Sequence, residues 1–520
     1  MSAFRTILAP ALSLALILPA VFVTGCLKKP ESLPAPAAKT GQTDPTIPAK
    51  NEKPATAQAT PPVDNPVTKP AVPTKDPVAD APAETTPEKP VPAKESAAPA
   101  PAATEVAKAE LAKTEPAKAE SAKATADDEA AIVTEIEKLR GKITKDDAGH
   151  VSAVVFEEPH KVSELEFLTG LKHLKKIRMI GTDIDDSIVA VLKQIPSLID
   201  IETENTDITN KALPELAKFE NLISLGLRKS EITDKGLAEL KPLKKLERLY
   251  LLYNNITNDG LVHFKDMTSL KTLDIRANTQ IDDDGVVHLK NLTAMKSLKF
   301  KNQTGITGNM LKHLKGMTAL REIGLDDTGL DNSGLEDIAA FAESMELVHI
   351  ERTQVDDQGL AYLKPLKKMT LLQGRLLPID GSGLVHLTEI KTLKTLELSE
   401  TSVNDAGLEH IGKMENLERL ELWLTKITDA GLPQLANCKK LKLLDIRQTS
   451  VSDAGLKSLA GLTDLESLYF KECDISDASI DVITGFKQLK ELNLDQTKIS
   501  DEGKAKIKAA LPKVEFVVKE

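Results

Sequence analysis

Aromatic residues are scarce in this chain of 520 residues: they make up 3% of it, with one tryptophan and four tyrosines. Cysteine is scarcer still, and three cysteines exclude the disulfide framework of a small secreted domain. The net charge is −11, so the chain lacks the basic excess that a non-specific nucleic-acid binder needs. We therefore expect no nucleic acid among its partners.

Proline is largely confined to one stretch. Of 29 prolines, 19 fall within residues 27–126, which contain no aromatic residue, and only 8 lie beyond them. The stretch also carries 13 lysines and 13 acidic residues. Such a composition cannot bury enough apolar surface to offset the entropy lost on ordering. Residues 26–126 are therefore predicted to be a disordered linker rich in alanine, proline, lysine and glutamate.

The first 25 residues have the layout of a secretory signal peptide, with Arg5 followed by an apolar run over 7–23. The run ends in Val23-Thr24-Gly25-Cys26, which resembles the lipobox of bacterial lipoproteins. The resemblance implies lipidation at Cys26, cleavage just before it, and an exported chain tethered to a membrane and facing the periplasm or the cell surface. Leu27 after the cysteine favours the outer membrane. The alternative is an uncleaved signal anchor with an incidental cysteine.

An apolar residue followed by a helix-capping cluster recurs every 24 or 25 residues over the rest of the chain. Within a unit, apolar residues three apart, such as Leu240, Leu243 and Leu246, give way to residues two apart, such as Leu249 and Leu251. This change of period predicts a short helix followed by a short strand. The fourteen recurring positions are Ile184, Ile208, Ile232, Ile256, Ile281, Ile306, Leu330, Val355, Ile379, Val403, Ile427, Val451, Ile475 and Ile499.

The units resemble leucine-rich repeats, most of all the cysteine-containing class of F-box-associated proteins. Cys473 occupies the cysteine column of that class, and Cys438 matches its second cysteine position. The resemblance implies an α/β, right-handed leucine-rich-repeat solenoid (a horseshoe) with parallel strands on the concave face and short helices on the convex face. No F-box segment is apparent, and the export signal argues against a ubiquitin-ligase role. In the other units the cysteine column holds Thr182, Thr206, Ser230, Asn254, Thr279, Thr304, Thr328, Thr353, Thr401, Thr425, Thr449 and Thr497.

Both ends of the repeat array are predicted to be capped, because a solenoid must cover its terminal units. Ile132, Ile136 and Leu139 share one helical face in 127–140, and 151–156 alternates like a strand. We assign 127–161 to an N-terminal cap and 162–520 to the repeat domain, whose C-terminal cap includes a last strand at 514–518. The unit around Ile379 breaks the pattern, and we expect a local bend there.

Strand periodicity exposes alternate residues on the concave face, and the chain's only tryptophan and three of its four tyrosines fall on or beside that face. Tryptophan, tyrosine and arginine dominate protein–protein hot spots. We therefore predict a face that binds an unknown protein or peptide. An envelope spacer without a discrete ligand, and a binder of wall glycan or other polysaccharide, remain alternatives. The predicted contact residues are Arg228, Tyr250, Arg276, Trp423, Arg447 and Tyr469.

Catalytic motifs are missing: there is no phosphate-binding loop, no Gly-x-Ser-x-Gly elbow and no His-Glu-x-x-His. We expect neither an enzyme nor a cofactor. His263, His288 and His313 recur at one position of successive units, which could suit a metal, but a solvated helix face explains them better. The acidic run 282–284 could attract calcium, although helix capping already accounts for it.

Overall fold

A computed structural model describes residues 126–518 of the chain. The predicted signal peptide, the lipidation site at Cys26 and the predicted linker lie outside the described residues, except that Ala126 begins the first helix. In the described part, every helix is too short or too polar to cross a membrane.

Seventeen strands form a single sheet within the described residues. They are β1 Lys142–Lys145, β2 Val151–Val155, β3 Lys176–Ile180, β4 Asp200–Glu204, β5 Ser224–Arg228, β6 Arg248–Tyr250, β7 Thr272–Asp274, β8 Ser297–Lys299, β9 Glu322–Gly324, β10 Leu347–His349, β11 Leu371–Gln373, β12 Thr395–Glu397, β13 Arg419–Glu421, β14 Leu443–Asp445, β15 Ser467–Tyr469, β16 Glu491–Asn493 and β17 Glu515–Phe516.

Short helices alternate with the strands. The α-helices are α1 Ala126–Lys138, α2 Ile188–Leu192, α3 Leu213–Leu216, α4 Asp234–Leu237, α5 Asn258–Leu261, α6 Asp283–Val286, α7 Asp405–Ile411, α8 Asp453–Leu456, α9 Ile480–Gly485 and α10 Asp501–Ala510. The 3₁₀ helices are Val162–Glu164, Glu166–Gly170, Asn210–Ala212, Ala238–Leu240, Val262–Phe264, Val287–Leu289, Asn309–His313, Ser333–Leu335, Ile338–Phe341, Gly359–Leu363, Ser382–Leu387, Leu432–Asn437, Lys457–Leu459 and Asp477–Ser479.

Each strand pairs with its neighbours in the sequence. β1 and β2 form an antiparallel hairpin, and from β2 to β17 every successive pair is parallel. From β3 to β16, fourteen strands begin 24 or 25 residues apart, and the longer steps lead into β8, β9 and β10. The predicted number and period of the repeats are therefore confirmed. The hairpin strand β1 is not predicted from the sequence.

One continuous hydrophobic core runs through the whole array. In the unit that contains β6, the leucines at both spacings, including Leu240, Leu243, Leu249 and Leu251, are all buried. They belong to the same cluster as Val151 near the first strand and Val514 near the last. A single unit cannot bury its apolar face alone, so the core exists only because the units stack.

A buried polar column follows the strands and satisfies backbone carbonyl groups. The hydroxyl of Thr425 donates to the carbonyl oxygen of Leu422 at 2.6 Å, and Thr328, Thr353, Thr401 and Thr449 make the same bond. Buried polar groups need such partners, because an unmet hydrogen bond costs about 1–3 kcal/mol. The threonines therefore hold the turn that leaves each strand.

In the first unit the predicted column residue Thr182 is exposed, and in two later units the column is displaced by one residue. Thr279 and Thr304 are exposed, and Asn278 and Gln303 are buried in their place. Each of these two later units carries one extra residue between the column and the following isoleucine, so the column residue comes one position earlier than expected. The amide of Asn278 also donates to the carbonyl oxygen of Leu251 in the preceding unit at 3.0 Å, which a threonine hydroxyl is too short to reach.

The capping aspartates join one unit to the next. Asp405 accepts hydrogen bonds from the backbone nitrogen of Thr428 at 2.8 Å and from its hydroxyl at 2.7 Å. Asp429 binds Ser452 in the same way one unit later. These contacts add an inter-unit bond to the helix-capping role that the sequence predicts.

Helix α1 lies over the first units, where Ile136 is fully buried together with Phe156. In the unit around Ile379, strand β11 pairs in regular register with both neighbours. Leu377 is buried there, and its side chain lies beside Gly374, where other units have an apolar strand residue. The ladder is therefore continuous through this unusual unit.

Candidate functional site

The strand face carries two columns of side chains. We call the first the central column, and strand pairing sets it in register from β3 to β16. The outer column lies two residues further along each unit and contains Arg228, Arg276, Arg375, Trp423 and Arg447. The central column consists of Arg178, Glu202, Gly226, Tyr250, Asp274, Lys299, Gly324, His349, Gln373, Glu397, Glu421, Asp445, Tyr469 and Asn493.

The first aromatic cluster is built on Tyr250. The guanidinium carbon of Arg228 lies 4.4 Å from the centre of the Tyr250 ring, and Arg228 Nη1 lies 3.0 Å from Glu202 Oε2. Burial favours a higher pKa for Glu202, but hydrogen bonds from Lys176 and Arg228 hold it below its ordinary value. Burial, with Glu202 nearby, raises the pKa of Tyr250. The neutral ring is thus held in place by a fixed cation.

The second aromatic cluster is built on Trp423, which is half-buried. The guanidinium carbons of Arg375 and Arg447 lie 5.0 Å and 5.4 Å from the centre of its ring. Arg447 is itself held by Asp445, with Nε 2.9 Å from Oδ1 and Nη2 2.8 Å from Oδ2. Arg375 forms an ion pair with Glu400. Carboxylates therefore fix both cations that flank the indole.

Arg276 is oriented by the same local device. Its Nε and Nη2 lie 2.8 Å and 2.7 Å from the carboxylate oxygens of Asp274. Asp274 lies two residues earlier, in the central column of the same unit. Arg447 and Asp445 have this spacing too, and both pairs occur in the sequence as Asp-Ile-Arg. A bidentate ion pair gives the guanidinium a defined direction.

Two of the six predicted contact residues are buried, contrary to their expected exposure. Tyr469 is only 1% exposed and Arg447 is 8% exposed. The Tyr469 hydroxyl donates to the carboxylate of Glu491 on the next strand. Burial and this carboxylate raise the pKa of Tyr469 above its ordinary value. Sequence periodicity placed both residues on the correct face, but it could not show how far their neighbours cover them.

The turns that leave the strands expose three large side chains, of which the sequence analysis counted Tyr253 but missed the two leucines. Tyr253, Leu376 and Leu424 are 55%, 38% and 48% exposed. Each adopts a left-handed backbone, with φ of 57°, 58° and 53°. Most other units have a polar residue at this turn, such as Glu400 or Gln448. In the sequence, these leucines could have been found as large apolar residues in a column that is otherwise mostly polar. We add Leu376 and Leu424 to the Trp423 cluster.

Between the two clusters lies a cavity of about 270 Å³, which we call the charged pocket. Gly324 of the central column is one of its lining residues. Glu322 accepts from Lys299 Nζ at 2.7 Å and lies 3.4 Å from His349 Nε2. Burial opposes ionisation of Glu322, but its contacts with His349 and Lys299 lower its pKa to about 2. Burial also works against protonation of His349, yet its contacts with Glu322 and Gln373 raise its pKa. The remaining lining residues are Arg276, Lys301, Asp326 and Glu351.

Within residues 126–518, no group of three or more histidine, cysteine or acidic side chains is arranged to hold a metal ion. Cys438 and Cys473 are buried thiols, and burial raises the pKa of Cys438 to about 11. A thiol with that pKa stays protonated at neutral pH and is a poor nucleophile.

A leucine-rich repeat family model matches residues 266–289 and 437–460. The solenoid is a leucine-rich-repeat fold. An internalin from Listeria monocytogenes is similar at 22% identity and TM-score 0.49, covering 63% of this chain and 89% of its own. A leucine-rich-repeat protein of Leptospira interrogans is similar at 18% identity and TM-score 0.49, covering 68% and 92%. A plant peptide hormone receptor, solved with its peptide RGF2, has 14% identity and TM-score 0.36, covering 72% and 66%. No curated protein matches the chain significantly.

Proposed function

We propose that this leucine-rich-repeat chain is exported, anchored to a membrane through a lipid on Cys26, and binds a protein or peptide on its strand face. The contact residues are Arg228, Tyr250, Arg276 and Trp423, of which Tyr250 and Trp423 are the anchors. Arg447 and Tyr469 are buried and hold neighbouring side chains in place instead of contacting the partner. The proposal assigns the chain no catalytic activity. The outer membrane is the favoured location, since Leu27 follows the cysteine.

The observation that carries the proposal is the pair of rings held by fixed guanidinium groups. Arg228 lies over Tyr250, and Arg375 and Arg447 lie within 5.4 Å of Trp423. Preorganised aromatic and arginine side chains bind at a low entropic cost. A polysaccharide partner fits less well, because sugar rings stack on bare aromatic faces, and arginines already contact these two.

The partner test compares capture by the full chain with capture by a double variant, Tyr250→Ala with Trp423→Ala. We leave Arg447 intact, because its loss would strand the buried carboxylate of Asp445. Tyr362→Ala is the matched control, since Tyr362 is an exposed tyrosine on the helix side. We expect a discrete protein that the wild type and the control retain and the double variant loses. Equal capture by all three would favour the spacer alternative.

The anchor is tested separately. Cys26→Ser is expected to lose incorporation of labelled fatty acid and to leave the lipid-anchored membrane fraction, because the acylated sulfur is gone. Cys438→Ser is the control, since that thiol is buried in the repeats. A Cys26→Ser chain that keeps its label would contradict the anchor.

A further inference from the structure

Three charged side chains that line the charged pocket, Lys301, Asp326 and Glu351, are weakly paired. Within residues 126–518, Lys301 Nζ makes one ion pair, with Asp327 at 4.0 Å, the outer limit for such a contact. Among the described residues, neither Asp326 nor Glu351 forms an ion pair, and the sole bond to Asp326 Oδ1 comes from the backbone nitrogen of Glu351 at 3.0 Å. One cation and two carboxylates at successive positions of the outer column, in three neighbouring units, are thus left incompletely matched.

Gly324, which lines the charged pocket, is not required by the fold. Gly324 lies in strand β9, and a side-chain carbon added there would meet only ordinary contacts, with Lys299 atoms at 3.5 and 3.6 Å. By contrast, Gly431 leaves no room, because the same carbon would overlap the Asp405 carboxylate. Glycine within a strand weakens it. What Gly324 does provide is open space in the central column between Lys299 and His349 of the neighbouring strands.

We propose that the charged pocket binds a zwitterionic group, whose ammonium contacts Asp326 and Glu351 and whose carboxylate contacts Lys301. This inference rests on the proposed function, because it makes the pocket a subsite of the partner-binding face. The same chemistry occurs in a free amino acid and in neighbouring lysine and glutamate side chains of a peptide. Arg276 and Lys299, each paired within the protein, add positive potential on the carboxylate side.

The ionisation of Glu351 fits this role. Burial and the neighbouring Asp326 raise its pKa, so its ionised form is poorly compensated in the empty pocket. An ammonium group placed there would supply the missing charge. Glu351→Gln should therefore leave the folded chain at least as stable as the wild type at neutral pH while removing a ligand for the ammonium.

The test titrates the full chain with four probes by ligand-observed NMR. L-Alanine carries both charges, N-acetyl-L-alanine only the negative one and L-alaninamide only the positive one. The blocked peptide acetyl-Ala-Glu-Lys-Ala-amide carries the two charges on side chains. The variants are Gly324→Val, which fills the cavity, and Glu351→Gln. Gly485→Ala is the control, because its surroundings are open and it lies on the helix side.

We expect L-alanine, the blocked peptide or both to bind about tenfold or more tightly than the singly charged probes, since each lost charged contact is worth roughly 1.5–3 kcal/mol. Which of the two binds identifies the source of the group. Gly324→Val should abolish binding and Gly485→Ala should keep it. Equal affinity for the singly charged probes, binding that survives Gly324→Val, or no binding of any probe would overturn the proposal. Capture that depends on Tyr250 and Trp423 would then still stand, so the two proposals fail separately.

Discussion

At the scale of single residues, the strand face holds several of its charges in local ion pairs. Glu322 lies between Lys299 and His349. Its contact with His349 contributes both to the Glu322 pKa of about 2 and to the raised pKa of His349. Such partly buried ion pairs stabilise a fold only when both partners are charged. The charge on His349 is the one that changes near neutral pH.

Because of His349, the free energy of unfolding should fall as pH rises above 6.5. Its folded pKa is raised above 6.5, so its contribution is complete below 6.5 and is lost as pH rises through the folded value. The contribution of Glu322 is present above 4.5 and is lost as pH falls towards 2. We expect His349→Gln to reduce the fall in unfolding free energy as pH rises above 6.5, measured by urea denaturation. His263→Gln, on the helix side, should keep the wild-type slope, and an unchanged slope in His349→Gln would contradict the assignment.

Individual residues are where sequence reasoning reached its limit. The period placed Tyr250, Trp423 and Tyr469 on one face, because side chains alternate along a strand. It could not separate the half-buried Trp423 from the buried Tyr469, since burial depends on neighbours one unit away. The repeat period also says nothing about the side chains in the turns that follow the strands. It therefore missed Leu424, which is exposed and adopts a left-handed backbone.

At the scale of the repeated element, neighbouring units meet through one aspartate, one hydroxyl and one glycine. Asp405 binds Thr428 of the next unit, and Gly431 of that unit lies directly against the Asp405 carboxylate. The sequence predicted the element because its period is set by core spacing, which every unit repeats. It did not predict the partner of Asp405, because a cap within one unit and a bond to the next use the same residues.

Replacement of Gly431 tests this junction. Alanine is the better helix former by about 1 kcal/mol, so Gly431→Ala would stabilise an unconstrained helix start. Here the added carbon would overlap Asp405 and Leu408, and we expect a loss of about 1–3 kcal/mol in chemical denaturation. Gly485→Ala, with open space around it, should be neutral or stabilising. A stabilised Gly431→Ala chain would show that the aspartate moves away freely.

At the scale of the whole molecule, the described chain behaves as a row of units in which each contacts only its neighbours. Stability in such a row is a sum over units and junctions, so the two ends decide where unfolding begins. At the first unit, helix α1 and the β1–β2 hairpin cover the core. Ile136 of α1 lies against Gly141 and is fully buried. In the sequence, the apolar face of α1 and the strand-like alternation over 151–156 indicated this cover, whereas strand β1 was not predicted.

Loss of the N-terminal cover should therefore unfold the row from one end. Ile136→Ala removes a fully buried side chain and is expected to weaken the cap by about 2–5 kcal/mol. In hydrogen exchange, the amides of β2 to β5 should exchange faster, while those of β13 to β16 keep wild-type protection, because no contact links the two groups directly. Val133→Ala, a partly buried position on the same helix, is the milder control. Equal acceleration along the entire sheet would mean that the units unfold as one cooperative body instead.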